Sequence, residues 1–161
     1  MRKINNVYSS IPDYNCFGCN PSNEYGLKMS FFEDGDEIYC EWVPEEHYQG
    51  YIGIIHGGIQ ATLLDETAGW FVNVKLKTSG VTSSMNIKFL KPVRINNDKI
   101  HIRARLIERK KNTVIMKVSL YNNEDILCTE ADIEYFIYPE EVARHKFCYP
   151  GYDAFICNNT N

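Results

Sequence analysis

The segment Gly57–Leu76, GGIQATLLDETAGWFVNVKL, contains no proline and places apolar residues on nearly every side of a helix. A surface helix shows one apolar stripe, whereas a helix that is apolar all round has to be enclosed. Lys75 and Lys77 suit the negative end of its dipole, and Ser79-Gly80 can stop it. The chain must therefore supply enough surface elsewhere to surround one long helix.

Strands supply it. Leu27, Met29 and Phe31 alternate with Lys28, Ser30 and Phe32, Gly35-Asp36 marks a turn, and Ile38, Cys40 and Trp42 alternate again. This pattern predicts a hairpin. After Gly80 come four more alternating runs, around Met85–Phe89, Ile100–Leu106, Val114–Leu120 and Leu127–Ile137, separated by polar turns. They predict an antiparallel meander with one buried face. Two strands, one helix and four strands make an α+β chain, with a curved antiparallel six-stranded sheet wrapped around one long central helix. Residues 1–25 read as a turn-rich arm containing a CxxC loop, 26–138 as the domain, and 139–161 as a tail with aromatic anchors.

Length and charge narrow the function classes. A chain of 161 residues holds one core, and 44% hydrophobic with 24% charged residues excludes a disordered chain. Lys+Arg is 17 against Asp+Glu 21, a net charge of -4, so the basic footprint of a nucleic-acid binder is missing. The longest uncharged stretch, Gly50–Leu64, is interrupted by His56, Gln60 and glycines, and the N-terminus MRKINNVYSSIPDYN lacks the apolar core of a signal peptide. The expectation is a cytoplasmic protein with no membrane or nucleic-acid partner and with free thiols.

Between Gly50 and Val74 only Asp65 and Glu66 carry a full charge, and both lie inside the helix expected to be buried. Buried carboxylates are costly unless paired, and such positions also shift pKa values, so one of them is a functional candidate; the plainer reading is a loop cap and a solvent-facing neighbour. His56-Gly57-Gly58 precedes the helix. Its glycines admit a ligand to the backbone, and the unpaired first-turn N–H groups suit a carbonyl oxygen or oxyanion. Asp65 shares a helix face with Gly58 but lies roughly 10 Å further along the axis. One chain cannot easily bring that acid to its own helix N-terminus. A two-fold dimer with composite sites could. Glu66 is turned about 100° away, toward another environment.

The segment HGGIQATLLDETAGW resembles the motif of hotdog-fold acyl-CoA thioesterases, in particular the phenylacetate-degradation type of the 4-hydroxybenzoyl-CoA thioesterase superfamily. CFGCNPSNEYGLKMSFF is similar to the N-terminal Cys-Phe-x-Cys loop of one subgroup, and GVTSSMNIKFLKPV to the family's third strand. The resemblance covers about Cys16 to Tyr138. It implies hydrolysis of acyl-CoA thioesters by a homodimer or a dimer of dimers, with no cofactor beyond the CoA of the substrate and no metal. It assigns the carbonyl site to the N–H of Gly58 or Gly57, an orienting role to His56, the base or nucleophile to Asp65, and water placement to the Thr82 hydroxyl, with Ser84 as runner-up on the same face. Some relatives carry Asn six residues before the motif His; Gly50 stands there, and the neighbouring Gln49 could supply an amide. Gln49, Glu66, Ser84 and Trp70 are candidate substrate contacts.

Two other readings stay open: a hotdog-fold enoyl-thioester hydratase or dehydratase, and a non-catalytic acyl-CoA binding module. A zinc site on Cys16 and Cys19 would need two more ligands, for which Cys148, Cys157 or His145 are available if the tail folds back; a structural loop with buried thiols is the plainer reading.

Overall fold

The computed structural model describes residues 1–156. Strands β1 (Arg2–Lys3), β2 (Ser30–Asp34) and β3 (Glu37–Trp42) precede helix α1 (Gly57–Lys75); β4 (Gly80–Phe89), β5 (Ile100–Arg109), β6 (Thr113–Tyr121) and β7 (Leu127–Ile137) follow it, and α2 (Glu140–Phe147) and α3 (Tyr152–Phe155) close the described chain. All pairings are antiparallel and form one seven-stranded sheet in the order β1-β2-β3-β5-β6-β7-β4. The expected six strands are joined by a seventh, the two-residue β1 from the arm.

The helix packs against β2 through β7. A cylinder about 10 Å wide can reach six strands spaced about 4.8 Å apart only if the sheet curls around it. Leu63, Leu64, Ala68, Phe71, Val72 and Val74 of α1 are buried among Ile38, Ile102, Met116, Val118, Leu120 and Ile133 of the sheet. The all-round apolar pattern of the helix thus finds its partners on several sides, as the sequence pattern requires.

One expectation is corrected. The last four strands do not form a meander: β5, β6 and β7 do, but β4 pairs with β7, and β5 pairs with β3. The link between β4 and β5 is too long for a tight hairpin and is held elsewhere. Ile55 N–H donates to Val93 O at 2.9 Å, and Ile54 bridges Arg94. This sends β4 to the far edge of the sheet, where Val81 (42%) and Phe89 (53%) are exposed.

The tail packs back onto the arm and helix. Phe155 is fully buried against Tyr8, Trp70 and Tyr149. Tyr149 Oη donates to Asn73 O of α1 at 3.1 Å, and Ile156 bridges Ile4.

Candidate active site

Helix α1 begins at a side-chain cap. His56 is extended (φ -59°, ψ 137°), and its Nδ1 accepts the Gly58 N–H at 2.9 Å. An N-cap acceptor satisfies one of the helix's orphan donors. An accepting Nδ1 leaves the neutral ring's proton on Nε2. The Gly58 N–H expected for a carbonyl is therefore occupied by His56, whereas the Gly57 N–H has no hydrogen-bond partner among the described residues.

Two turns on, the half-buried Asp65 faces the β4–β7 edge. Its Oδ1 accepts from Thr82 Oγ1 at 2.7 Å and from Tyr135 Oη at 3.0 Å, and the same Tyr135 hydroxyl lies 3.0 Å from the Asp65 carbonyl oxygen. Oδ2 accepts no bond among the described residues. Two hydroxyls from adjacent strands thus fix one carboxylate oxygen and leave the other free. Gly69 makes the arrangement possible: a Cβ there would sit 3.3 Å from the Tyr135 hydroxyl. Burial raises the Tyr135 phenol, and the charge of Asp65 raises it further, so it stays a proton donor to the carboxylate.

The structure brings Thr82, a candidate from the family resemblance, against Asp65, together with Tyr135, which the sequence reading did not single out. The signal for Tyr135 was present, a polar-tipped aromatic on the buried side of β7, but only the pairing Thr82↔Tyr135 places it beside the helix. Ser84 is corrected. A bulge between Thr82 and Ser84 pairs Ser84 with Glu134, so it points away from the face that Thr82 shares with Tyr135.

Three further candidates lie apart from Asp65's hydroxyl pair. Gln49 is exposed, and its Oε1 accepts the Gly53 N–H at 3.2 Å. Gly50 lies close against His56, where an added Cβ would come 3.3 Å from the His56 Cα. Trp70 is buried, stacks on Phe31 at 5.0 Å, and donates its indole N–H to Glu66 Oε1 at 3.2 Å. Glu66 turns to the arm, where Cys16 Sγ lies 3.6 Å from Oε1 and Cys19 Sγ lies 3.5 Å from Cys16 Sγ. Burial pushes the Glu66 carboxyl up to about 7. The Cys19 thiol pulls Cys16 down and is itself pushed up by that contact. A cavity of about 340 Å³ connects the two environments, lined by Cys19, Glu66, Trp70, Thr82 and Tyr135 among others.

The chain resembles proteins of known name. Residues 52–129 match the family described as Thioesterase superfamily. Human acyl-coenzyme A thioesterase 13 is 31% identical over 87 residues, 53% of this chain and 61% of that protein, so the match spans less than two thirds of that relative. Among solved structures, a hypothetical thioesterase with coenzyme A from Streptococcus pneumoniae superposes with a TM-score of 0.64 at 24% identity, covering 70% of this chain and 87% of its own. The PaaI protein of the Escherichia coli phenylacetic acid degradation operon superposes with a TM-score of 0.64 at 16% identity, covering 71% and 82%. These likenesses carry the fold, and the family match falls on the segment that holds His56, Gly57, Gly58, Asp65 and Thr82. The chain has the hotdog fold of these structures, and its residues 52–129 are similar to the thioesterase superfamily.

Proposed function

We propose that the protein hydrolyses acyl-CoA thioesters to the free acid and CoA, with Asp65 as general base. The observation that carries this reading is the Asp65 carboxylate, held through Oδ1 by Thr82 and Tyr135 with Oδ2 open. A thioester has a good leaving group, so a catalyst must chiefly activate water and stabilise an oxyanion. Asp65 Oδ2 would take a proton from water as the water oxygen bonds to the thioester carbon. The negative charge passes to the carbonyl oxygen, which needs an N–H donor. As the tetrahedral adduct collapses, the C–S bond breaks and the sulfur leaves with the electron pair, taking a proton to become the CoA thiol.

The free Gly57 N–H at the positive end of α1 suits the oxyanion better than Gly58, whose N–H is taken by His56. Gly57 and Asp65 lie about 12 Å apart along the axis of one helix, too far to share one carbonyl. The reading therefore assigns each site to two copies of the chain, joined through the β4 edge. That edge supports it: β4, a strand of ten residues, pairs with β7 on one side only, and its outer edge, carrying exposed Val81 and Phe89, is a template for pairing. Names of relatives support the substrate class, an acyl-coenzyme A thioesterase and a thioesterase with coenzyme A. No helix among the described residues is long and apolar enough to cross a membrane.

The test is thiol release by the full chain from short, long and aromatic acyl-CoAs. The reading expects turnover on at least one class. Saturable binding of an acyl-CoA without thiol release on any of them would make the protein a binding module and overturn it.

A further inference from the structure

The arm and the helix converge on a second chemical group that hydrolysis does not use. The Cys16–Cys19 loop folds closely over Glu66: a Cβ on Gly18 would lie 2.5 Å from the Glu66 carboxyl carbon and displace it. The two sulfurs and a Glu66 oxygen all lie within 4.8 Å of one another. From this juxtaposition we propose that Cys16, Cys19 and Glu66 bind a zinc ion that ties the N-terminal arm to α1.

Three observations support the assignment. The first is spacing. In a tetrahedral zinc site with Zn–S about 2.3 Å and Zn–O about 2.1 Å, two sulfurs sit about 3.8 Å apart and a sulfur and an oxygen about 3.6 Å apart. Here the sulfurs are 3.5 Å apart, and Cys16 Sγ lies 3.6 and 3.7 Å from the two Glu66 oxygens. The two edges that meet at Cys16 thus lie close to the zinc values, and the third, from Cys19 to Glu66, lies within 4.8 Å. The second is charge. The Glu66 carboxyl faces the Trp70 N–H and the two thiols and forms no ion pair among the described residues. Ionising a half-buried carboxyl without a cation beside it is unfavourable, and a divalent ion beside two thiolates removes that penalty. The third is the donor set. Two thiolates with one carboxylate suit zinc, whereas magnesium and calcium take oxygen ligands.

The fourth position would fall to a water from the adjoining cavity. Tyr14 Oη lies 2.9 Å from Cys19 Sγ, and the cavity beside Cys19 and Glu66 admits water. Among the described residues the tail adds no ligand, since neither Cys148 nor His145 belongs to the cluster; Cys157 lies outside the described residues. Binding releases the thiol protons to solvent and leaves both sulfurs bonded to the metal. Because Glu66 adjoins Asp65, the ion would brace the helix where the proposed base sits, but the assignment does not depend on the hydrolase reading.

The test uses the full reduced chain. Protein stripped with a chelator is titrated with Zn(II) against a chromophoric competitor, and separately with Co(II), whose spectrum reports thiolate ligation and tetrahedral geometry. The proposal expects one equivalent of zinc per chain and a thiolate-to-cobalt charge-transfer band. Cys16→Ser should abolish both. Glu66→Gln, which preserves shape and the acceptor for Trp70, should weaken zinc binding more than about tenfold. Cys148→Ser and Asp65→Asn should bind as wild type does, so loss of hydrolysis and loss of metal are read separately. Far-ultraviolet circular dichroism of the stripped variants separates ligand loss from unfolding. Zinc binding no stronger in wild type than in Cys16→Ser would overturn the proposal. So would a Cys16–Cys19 disulfide forming in place of metal binding under reducing, zinc-replete conditions, and so would equal loss in Cys148→Ser.

Discussion

The two edges of the sheet are built in opposite ways. At the β1–β2 edge the chain closes on itself: Ile156 bridges Ile4, Phe155 fills the space between Tyr8 and Trp70, and Glu33 takes Lys75 at 2.7 Å and Arg2 as well. At the β4 edge nothing from the chain covers the strand among the described residues, and Val81 and Phe89 stay exposed. The same helix serves both, with Glu66 turned to the closed side and Asp65 to the open one. The chain's own segments cover the first edge, and the group proposed for chemistry faces the other.

Substitutions on the closed side should cost stability. Phe155→Ala empties a fully buried ring site and should destabilise the fold by about 3–5 kcal/mol in denaturant titration. A smaller loss would show that the tail merely rests on the core.

Glu33→Gln should cost up to about 1 kcal/mol at neutral pH, mainly by removing the charged acceptor of the part-buried Lys75, the exposed Arg2 pairing being screened by solvent. Burial alone would raise the Glu33 carboxyl, but the bonds from Lys75 and Arg2 outweigh it and hold the group below its ordinary 4.5. A depressed carboxyl stabilises the folded state above that ordinary value and loses the contribution as pH falls through the depressed one. Wild type and Glu33→Gln should therefore differ at neutral pH and converge in acid. A pH-independent gap would assign the effect to packing.

On the open side the comparison can be broken by mixing. Gly57→Pro deletes the proposed oxyanion donor while suiting the first helical position, and Asp65→Asn deletes the proposed base. Each should be inactive alone. Reassociated in equal amounts, they should regain about a quarter of wild-type turnover, since half of the dimers would carry one intact site of two. No recovery would place the whole site within one chain. A smaller effect should follow Tyr135→Phe: about a tenfold loss in kcat from the missing bond to Asp65 Oδ1, with KM little changed.

Much of this was legible in the sequence. The helix showed in its all-round apolar pattern, and the charged pair Asp65-Glu66 stood out because nothing else from Gly50 to Val74 is charged. The Thr82 hydroxyl was legible through family resemblance. What stayed hidden depends on register and return of the chain. β4 crosses to pair with β7 because its following loop is pinned at Ile54–Ile55, and no local pattern encodes that. Tyr135 reads as an ordinary strand residue until the pairing sets it beside Thr82. A single bulge reverses Ser84, and alternation cannot show a bulge in advance. The meeting of Cys16, Cys19 and Glu66 is equally non-local, since the arm reaches α1 across fifty residues of chain.

The most direct measurement is kcat for Asp65→Asn on the best acyl-CoA substrate, beside wild type and with fold and oligomeric state verified. A general base typically contributes about 10²–10⁴-fold, so the account predicts a fall of that size in a protein that is otherwise intact. Turnover within a few-fold of wild type would contradict it and remove Asp65 from the chemistry.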